Sequence, residues 1–207
     1  MSDAILIQRP AAPASQLVAL FHGVGATPDD LVPLGELIAR QWPQALVTSV
    51  AGTEPSDFGS GRQWFSLQGI TDEKRGARIA LAMRDFIGAV TLWQAQAGVG
   101  AEATTLVGFS QGAMMALGSL CQPVPVARRV VAIAGRFATL PERIAPGLTV
   151  HLLHGADDSV VAASHSTQAA ERLRALGATV TLDLFPGVGH GITPEMARTL
   201  LQRLAAG

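Results

Sequence analysis

Gly108-Phe109-Ser110-Gln111-Gly112 decides how this chain is read. The pattern G-x-S-x-G follows an apolar, β-branched run, Thr104-Thr-Leu-Val-Gly108, and precedes Ala113-Met-Met-Ala-Leu117, which has the composition of a helix. A serine hydroxyl is a weak nucleophile and must be held out of the fold, within reach of a base. A sharp strand-to-helix turn does this, but it crowds the backbone on both sides of the serine, and glycines at 108 and 112 bring no Cβ into that space. The helix that follows aims backbone N–H groups and its positive dipole end at the reacting atom. The spacing therefore predicts a nucleophile elbow with Ser110 at its tip.

Outward from this turn, short apolar runs alternate with longer helical stretches. Strands are expected at Leu17–Phe21, Ala45–Val50, Thr104–Gly108, Arg129–Ile133, Thr149–Leu153 and Thr179–Phe185, with Ile5–Ile7 as an added edge strand. Thr27-Pro28 reads as an N-cap with proline at the first helical position, opening a helix towards Arg40, and Thr193-Pro194 opens another towards Leu204. Further helices are expected over Asp72–Ala97, Ala113–Leu120 and Ala163–Leu176. Alternation of near-continuous apolar strands with helices means a mostly parallel sheet covered on both faces. Residues 51–70, rich in Gly, Ser and Pro, read as one long loop, a length often tied to function. No linker or repeat interrupts the chain, so residues 1–207 are expected to form a single α/β domain, with no room between elements for a large cap domain.

Composition excludes several function classes. Of the 207 residues, 48% are hydrophobic and 15% charged, and the formal net charge is −1. Near-neutral charge without a Lys/Arg run argues against a nucleic-acid partner. No stretch approaches the roughly 18 consecutive apolar residues of a membrane span, and Met1-Ser-Asp-Ala lacks a signal-peptide pattern. Cys121 is the only cysteine, so a cytoplasmic location is expected.

An acyl-transfer serine needs a base, an orienter for that base and an oxyanion hole. After such an elbow the partners follow in the order acid, then histidine, each in a loop after a strand. Here one strand runs into His154-Gly-Ala-Asp157-Asp158 and the next into Pro186-Gly-Val-Gly-His190-Gly191. His190 is the expected base. Among the other histidines, His151 reads as a strand residue, His154 as a brace for the acid loop and His165 as a surface helix residue. Spacing leaves Asp157 and Asp158 both open as the acid. Phe21-His-Gly-Val-Gly25 nominates the Val24 backbone N–H as one oxyanion donor, with the N–H of Gln111 as the other. On this reading the Gln111 side chain matters less than its position. Trp64 and Phe65 are candidate substrate contacts, with a plain loop anchor as the competing role. Met114 and Met115 read as helix core, with the lining of an acyl pocket as the competing role for one of them, and Cys121 as buried packing. No ligand set for a metal emerges, and no cofactor is implied.

Phe21-His-Gly-Val-Gly-Ala-Thr-Pro-Asp-Asp-Leu31, Gly108-Phe-Ser-Gln-Gly-Ala113, His154-Gly-Ala-Asp-Asp158 with Val160-Val161, and Gly189-His190-Gly191 together resemble the phospholipase/carboxylesterase family. Gly61-Arg-Gln-Trp-Phe-Ser66 resembles its Trp-Phe loop, and the likeness runs from about Leu17 to Leu204. Where the family commonly has Pro after the paired valines, Ala162 stands here. The resemblance implies an α/β-hydrolase fold and hydrolysis of a small-molecule carboxylic ester, and it selects Asp158 as the acid. A serine carboxylesterase for short- to medium-chain esters is the expected function. An acyl-protein thioesterase or lysophospholipase is the near alternative, and a non-catalytic binding protein of the same fold the remote one.

Overall fold

The computed structural model describes residues 3–206. Seven strands form the main sheet, in the order β1-β3-β2-β6-β7-β8-β9. They are β1 (Ala4–Gln8), β2 (Gln16–Phe21), β3 (Ala45–Val50), β6 (Thr104–Phe109), β7 (Arg129–Ile133), β8 (Thr149–Gly155) and β9 (Thr179–Phe185). All neighbours pair in parallel except β1, which is antiparallel to β3 at the edge. The helices are α1 (Val32–Gln41), α2 (Asp72–Ala97), α3 (Gln111–Ser119), α4 (Ser164–Ala175) and α5 (Pro194–Ala205).

Strand periodicity divides the apolar side chains between two cores. Leu17, Ala19 and Phe21 of β2 join Val130 and Ala132 of β7 on the face covered by α2, α3 and α4. Val18, Leu20, Val131 and Ile133 point the other way, onto Leu34 and Ile38 of α1 and Met196, Leu200 and Leu204 of α5. Because both faces are covered, the central strand β2 reads as an almost unbroken apolar run, and polar residues of other parallel strands, such as Thr48, Ser49, Thr105, His151 and His154, are themselves buried.

The order of the strands sets where a site can form. From β2 the chain moves outward to β3, then crosses back over β2 to β6 and continues in the other direction. The direction reverses between β2 and β6, and the crevice at their carboxyl ends lies between the loop at 22–26 and the turn at Ser110.

Three local expectations are corrected. The helix at Pro28 begins as a single 3₁₀ turn, Pro28–Leu31, before α1, with the Thr27 N–H donating to the Asp30 carboxylate at 2.7 Å. Residues 51–70 contain a small hairpin, β4 (Glu54–Pro55) with β5 (Arg62–Gln63). Two residues per strand are too few to leave a period-2 pattern in the sequence. Cys121 is exposed, because it lies in the turn just beyond α3 and not in the packed helix.

Candidate active site

Ser110 occupies the tip of the turn between β6 and α3 with φ 52° and ψ −114°, a left-handed conformation rare for a residue with a side chain. Its N–H donates to Ile133 O of the neighbouring strand at 2.9 Å, which fixes the turn to the sheet. The flanking glycines are required by space. A Cβ at 108 would lie 2.5 Å from the Ala113 backbone, and one at 112 would lie 2.1 Å from Phe21 O. The second approach seats the start of α3 on the end of β2, so the serine and the loop after β2 face each other.

His190 Nε2 lies 2.9 Å from Ser110 Oγ, and His190 Nδ1 lies 2.7 Å from Asp158 Oδ2. A carboxylate only accepts, so Nδ1 carries the proton and Nε2 is left to accept from the serine hydroxyl. Phe109 packs on the His190 ring with centroids 5.2 Å apart. Asp158 is buried. Burial alone would raise its pKa, but the Val161 N–H, His190 and the Val160 N–H hold the carboxyl below its ordinary value. Its Oδ1 accepts both backbone N–H groups, at 2.8 Å from Val160 and 2.9 Å from Val161. Asp157 stays exposed and outside this chain of hydrogen bonds. Its Oδ2 accepts the Gly187 N–H at 2.7 Å, tying the acid loop to the loop that carries His190. His154 is fully buried. Its Nε2–H donates to Val161 O at 2.8 Å and stands 3.2 Å from Asp158 Oδ2, while its Nδ1 accepts from Ser166 Oγ at 2.7 Å.

The loop after β2 is braced from three sides. His22 Nδ1–H donates to Gly23 O at 2.7 Å, and Nε2 accepts the Gly52 N–H at 2.9 Å. Burial keeps His22 below its ordinary pKa, in the neutral form that this pattern requires. Trp64 Nε1–H donates to His22 O at 2.9 Å. Gly25 N–H donates to Arg62 O at 2.9 Å, joining the loop to the hairpin. A Cβ at Gly23 would come 3.2 Å from Ser110 Cβ, so half-buried Val24 belongs to a loop lying directly against the serine.

Gln111 does more than its position suggested. Its side-chain oxygen accepts the Trp64 backbone N–H at 2.7 Å, and its amide donates to Phe65 O at 2.7 Å. Trp64 and Phe65 are each only 1% exposed, and the Trp64 ring meets Phe21 and Phe86 edge-on, with centroids 5.5 Å away in each case. Neither ring faces solvent, so the packing is that of a loop anchor. A periodic pattern would have signalled this burial, and a loop has none. The large apolar side chains standing free nearby are Phe58, in the hairpin beside Gly25, and Val160, two residues past Asp158, 61% and 69% exposed. Met115 is core. Met114 is nearly so and lines a cleft of about 200 Å³ with Ile79, Met83 and Phe137. His165 is half-buried and not free on the surface, with Nε2 3.1 Å from Arg136 Nη1. His151 stays within the sheet on Thr181 Oγ1 at 2.9 Å.

Among the described residues no group of three or more His, Cys, Asp or Glu side chains is arranged to hold a metal ion, and no helix is long and apolar enough to cross a membrane.

Comparison with known proteins gives the family and the fold. Residues 2–206 match the phospholipase/carboxylesterase family. The chain is 46% identical over 202 residues to esterase YpfH of Escherichia coli (strain K12), covering 98% of this chain and 87% of that protein. Among solved structures, esterase PE8 superposes with a TM-score of 0.83 at 30% identity, covering 99% of this chain and 97% of its own. The Bacillus cereus carboxylesterase also superposes with a TM-score of 0.83, at 19% identity, over 100% of this chain and 95% of its own; at that identity the likeness concerns the fold.

Proposed function

Because the chain belongs to the phospholipase/carboxylesterase family, and so is an ester-cleaving hydrolase, we propose that it acts as a serine carboxylesterase on short- to medium-chain esters through an acyl-enzyme. One observation carries this reading. Ser110, His190 and Asp158 form a continuous hydrogen-bonded chain of 2.9 and 2.7 Å at the strand-to-helix turn.

The hydroxyl of Ser110 attacks the ester carbonyl while His190 Nε2 takes its proton. Asp158 holds the Nδ1–H tautomer and stabilises the imidazolium that forms. The backbone N–H groups of Val24 and Gln111 receive the negative charge that develops on the carbonyl oxygen, in fixed positions that need no rearrangement during the reaction. His190 then returns the proton to the departing alcohol. Water, deprotonated by the same imidazole, cleaves the acyl-enzyme and releases Ser110. The substrate is a small-molecule ester, and the reaction needs no cofactor. The lone exposed thiol suits a reducing cytoplasm.

Chain length is read from the surroundings. Phe58 and Val160 offer apolar surface at the rim, and the elements leave no large cap over Ser110. A shallow rim buries only a few methylenes, each contributing about 0.8 kcal/mol when fully removed from water. The direct test is kcat/KM for aryl acetate, butyrate, octanoate and palmitate, each below its aggregation limit. A maximum at butyrate or octanoate supports the carboxylesterase. A rise continuing to palmitate favours a thioesterase or lysophospholipase.

A further inference from the structure

A second polar cluster stands at the same end of the sheet. Arg136 Nη2 donates to Asp72 Oδ1 at 2.5 Å, and Arg136 Nη1–H points at His165 Nε2 from 3.1 Å. Arg75 Nε lies 3.6 Å from the same Asp72 oxygen, beyond hydrogen-bonding distance. Two guanidiniums therefore share one carboxylate oxygen. Arginine cannot shed its proton, so His165 must be the neutral acceptor, and the cluster keeps one positive charge in excess. The arginine side chains are 17% and 16% exposed, whereas that of Asp72 is 82% exposed. The Nε atoms of both arginines are buried without a hydrogen-bond partner. Burial, and then the neighbouring Arg136 charge, lower the pKa of both Arg75 and His165. Crowded like charges held out of water are costly, and such groups concentrate at functional sites.

The backbone leading into Arg136 packs against the helix that follows the nucleophile. A Cβ at Gly135 would come 2.4 Å from Ala113 Cβ in the first turn of α3, so the chain enters Arg136 directly beside the helix that Ser110 caps. Ala134, just before, has φ 52°, and among the described residues only it and Ser110 are non-glycine residues with positive φ. Such backbones are disfavoured and gather where a function fixes the path of the chain. On the other side, His165 adjoins Ser166, which bonds His154 next to Asp158.

We propose that Arg136, seconded by Arg75, is an anion-binding subsite, and that the preferred ester carries a free carboxylate on its acyl part, as in a monoester of a short dicarboxylic acid. One excess positive charge matches a single carboxylate, and each Nη of Arg136 keeps one N–H beyond those given to Asp72 and His165. The proposal rests on the esterase reading above.

The test compares mono-4-nitrophenyl glutarate with neutral 4-nitrophenyl valerate, which has the same number of acyl carbons. For the wild-type enzyme the ratio of their kcat/KM values should exceed one at low salt and fall as salt rises. In Arg136→Gln the ratio should fall by about tenfold or more, mainly through KM for the glutarate, as expected for loss of a charge-assisted contact. Arg75→Gln should give a smaller fall in the same direction. Circular dichroism establishes folding, and if Arg136→Gln does not fold, Arg75→Gln and the wild-type salt dependence carry the test. A ratio unmoved by either substitution, or a wild-type ratio below one and insensitive to salt, overturns the subsite. If the wild type cleaves neither ester, the esterase reading fails on its own. Calorimetric titration with glutarate then decides the subsite: binding weakened in the variant retains it, and no binding to the wild type removes it.

Discussion

The Trp64 backbone N–H donates to the side-chain oxygen of Gln111 at 2.7 Å, and this bond joins the two halves of the proposed oxyanion hole. Gln111 supplies one donor from its own backbone. Through Trp64, whose indole N–H holds His22 O, its side chain also steadies the loop that supplies the other. Gln111→Ala would leave the Trp64 N–H and Phe65 C=O buried without partners, each at a cost of about 1–3 kcal/mol. Chemical denaturation should show a loss of that order, and turnover should fall at least about tenfold because the donors are no longer fixed. A variant with wild-type stability and turnover would show that the clamp is idle.

Ser110→Ala should leave the fold intact and remove nearly all ester hydrolysis; in another triad hydrolase the loss in turnover is roughly 10⁶-fold. A fluorophosphonate probe should label the wild type at Ser110 and fail to label the variant. Labelling at another serine would relocate the nucleophile.

The two adjacent aspartates should separate cleanly. Asp158→Asn removes the acceptor that sets the His190 tautomer and should lower turnover on the order of 10⁴-fold, as in the serine-protease precedent. Asp157→Asn touches only the bond to the Gly187 N–H and should cost far less, of the order of 1 kcal/mol of stability. The reverse ranking of turnover would assign the orienting role to Asp157.

Stability should fall on acidification through a residue far from the chemistry. Burial, aided by Arg129 and Arg203 and opposed by Asp183, brings the His151 pKa from 6.5 to about 4. Between these values the unfolded chain binds the proton and the folded protein does not, so stability is full above about pH 6.5 and declines as the pH falls towards about 4. Each unit corresponds to about 1.4 kcal/mol, giving a total of the order of 1–3 kcal/mol. His22 and His165, also lowered, act in the same direction. Urea titrations at pH 7, 6 and 5 on wild type and His151→Gln isolate the His151 share, because the variant should show a shallower decline.

Acyl preference should respond to Phe58 and not to Trp64. Phe58→Ala should shift the kcat/KM optimum to shorter esters with little change in stability, since that side chain is exposed. Trp64→Ala should instead destabilise the protein by about 3–5 kcal/mol, the usual cost of emptying a buried aromatic site. A folded Trp64→Ala enzyme with unchanged melting and altered chain-length preference would return Trp64 to the role of a substrate wall.

The sheet and the proposed roles of Ser110 and His190 were legible from local pattern, whereas spacing left Asp157 and Asp158 both open and the family resemblance selected Asp158. The central strand Leu17–Phe21 is an unbroken apolar run, and the turns holding Ser110, Asp158 and His190 each follow a strand-length segment rich in apolar and β-branched residues. What escaped was contact between distant segments. Arg136 meets Asp72 and His165 across long stretches of chain, and neither pair has a period or motif to announce it. Trp64 and Phe65 lie in a loop, where a large aromatic residue reads the same whether it faces substrate or core. The carboxamide grip of Gln111 was hidden because the residue was already accounted for by its backbone.

The position of the last strand sets how the enzyme fails on heating. His190 follows β9, which pairs with β8 on one side and, among the described residues, with no strand on the other. Edge elements open at a lower free energy than the whole fold. Peeling β9 would carry the imidazole away from a serine still seated on central strand β6. Thermal inactivation should therefore precede the loss of helical signal. Reversible loss of turnover several degrees below the melting transition would reveal that partly opened form.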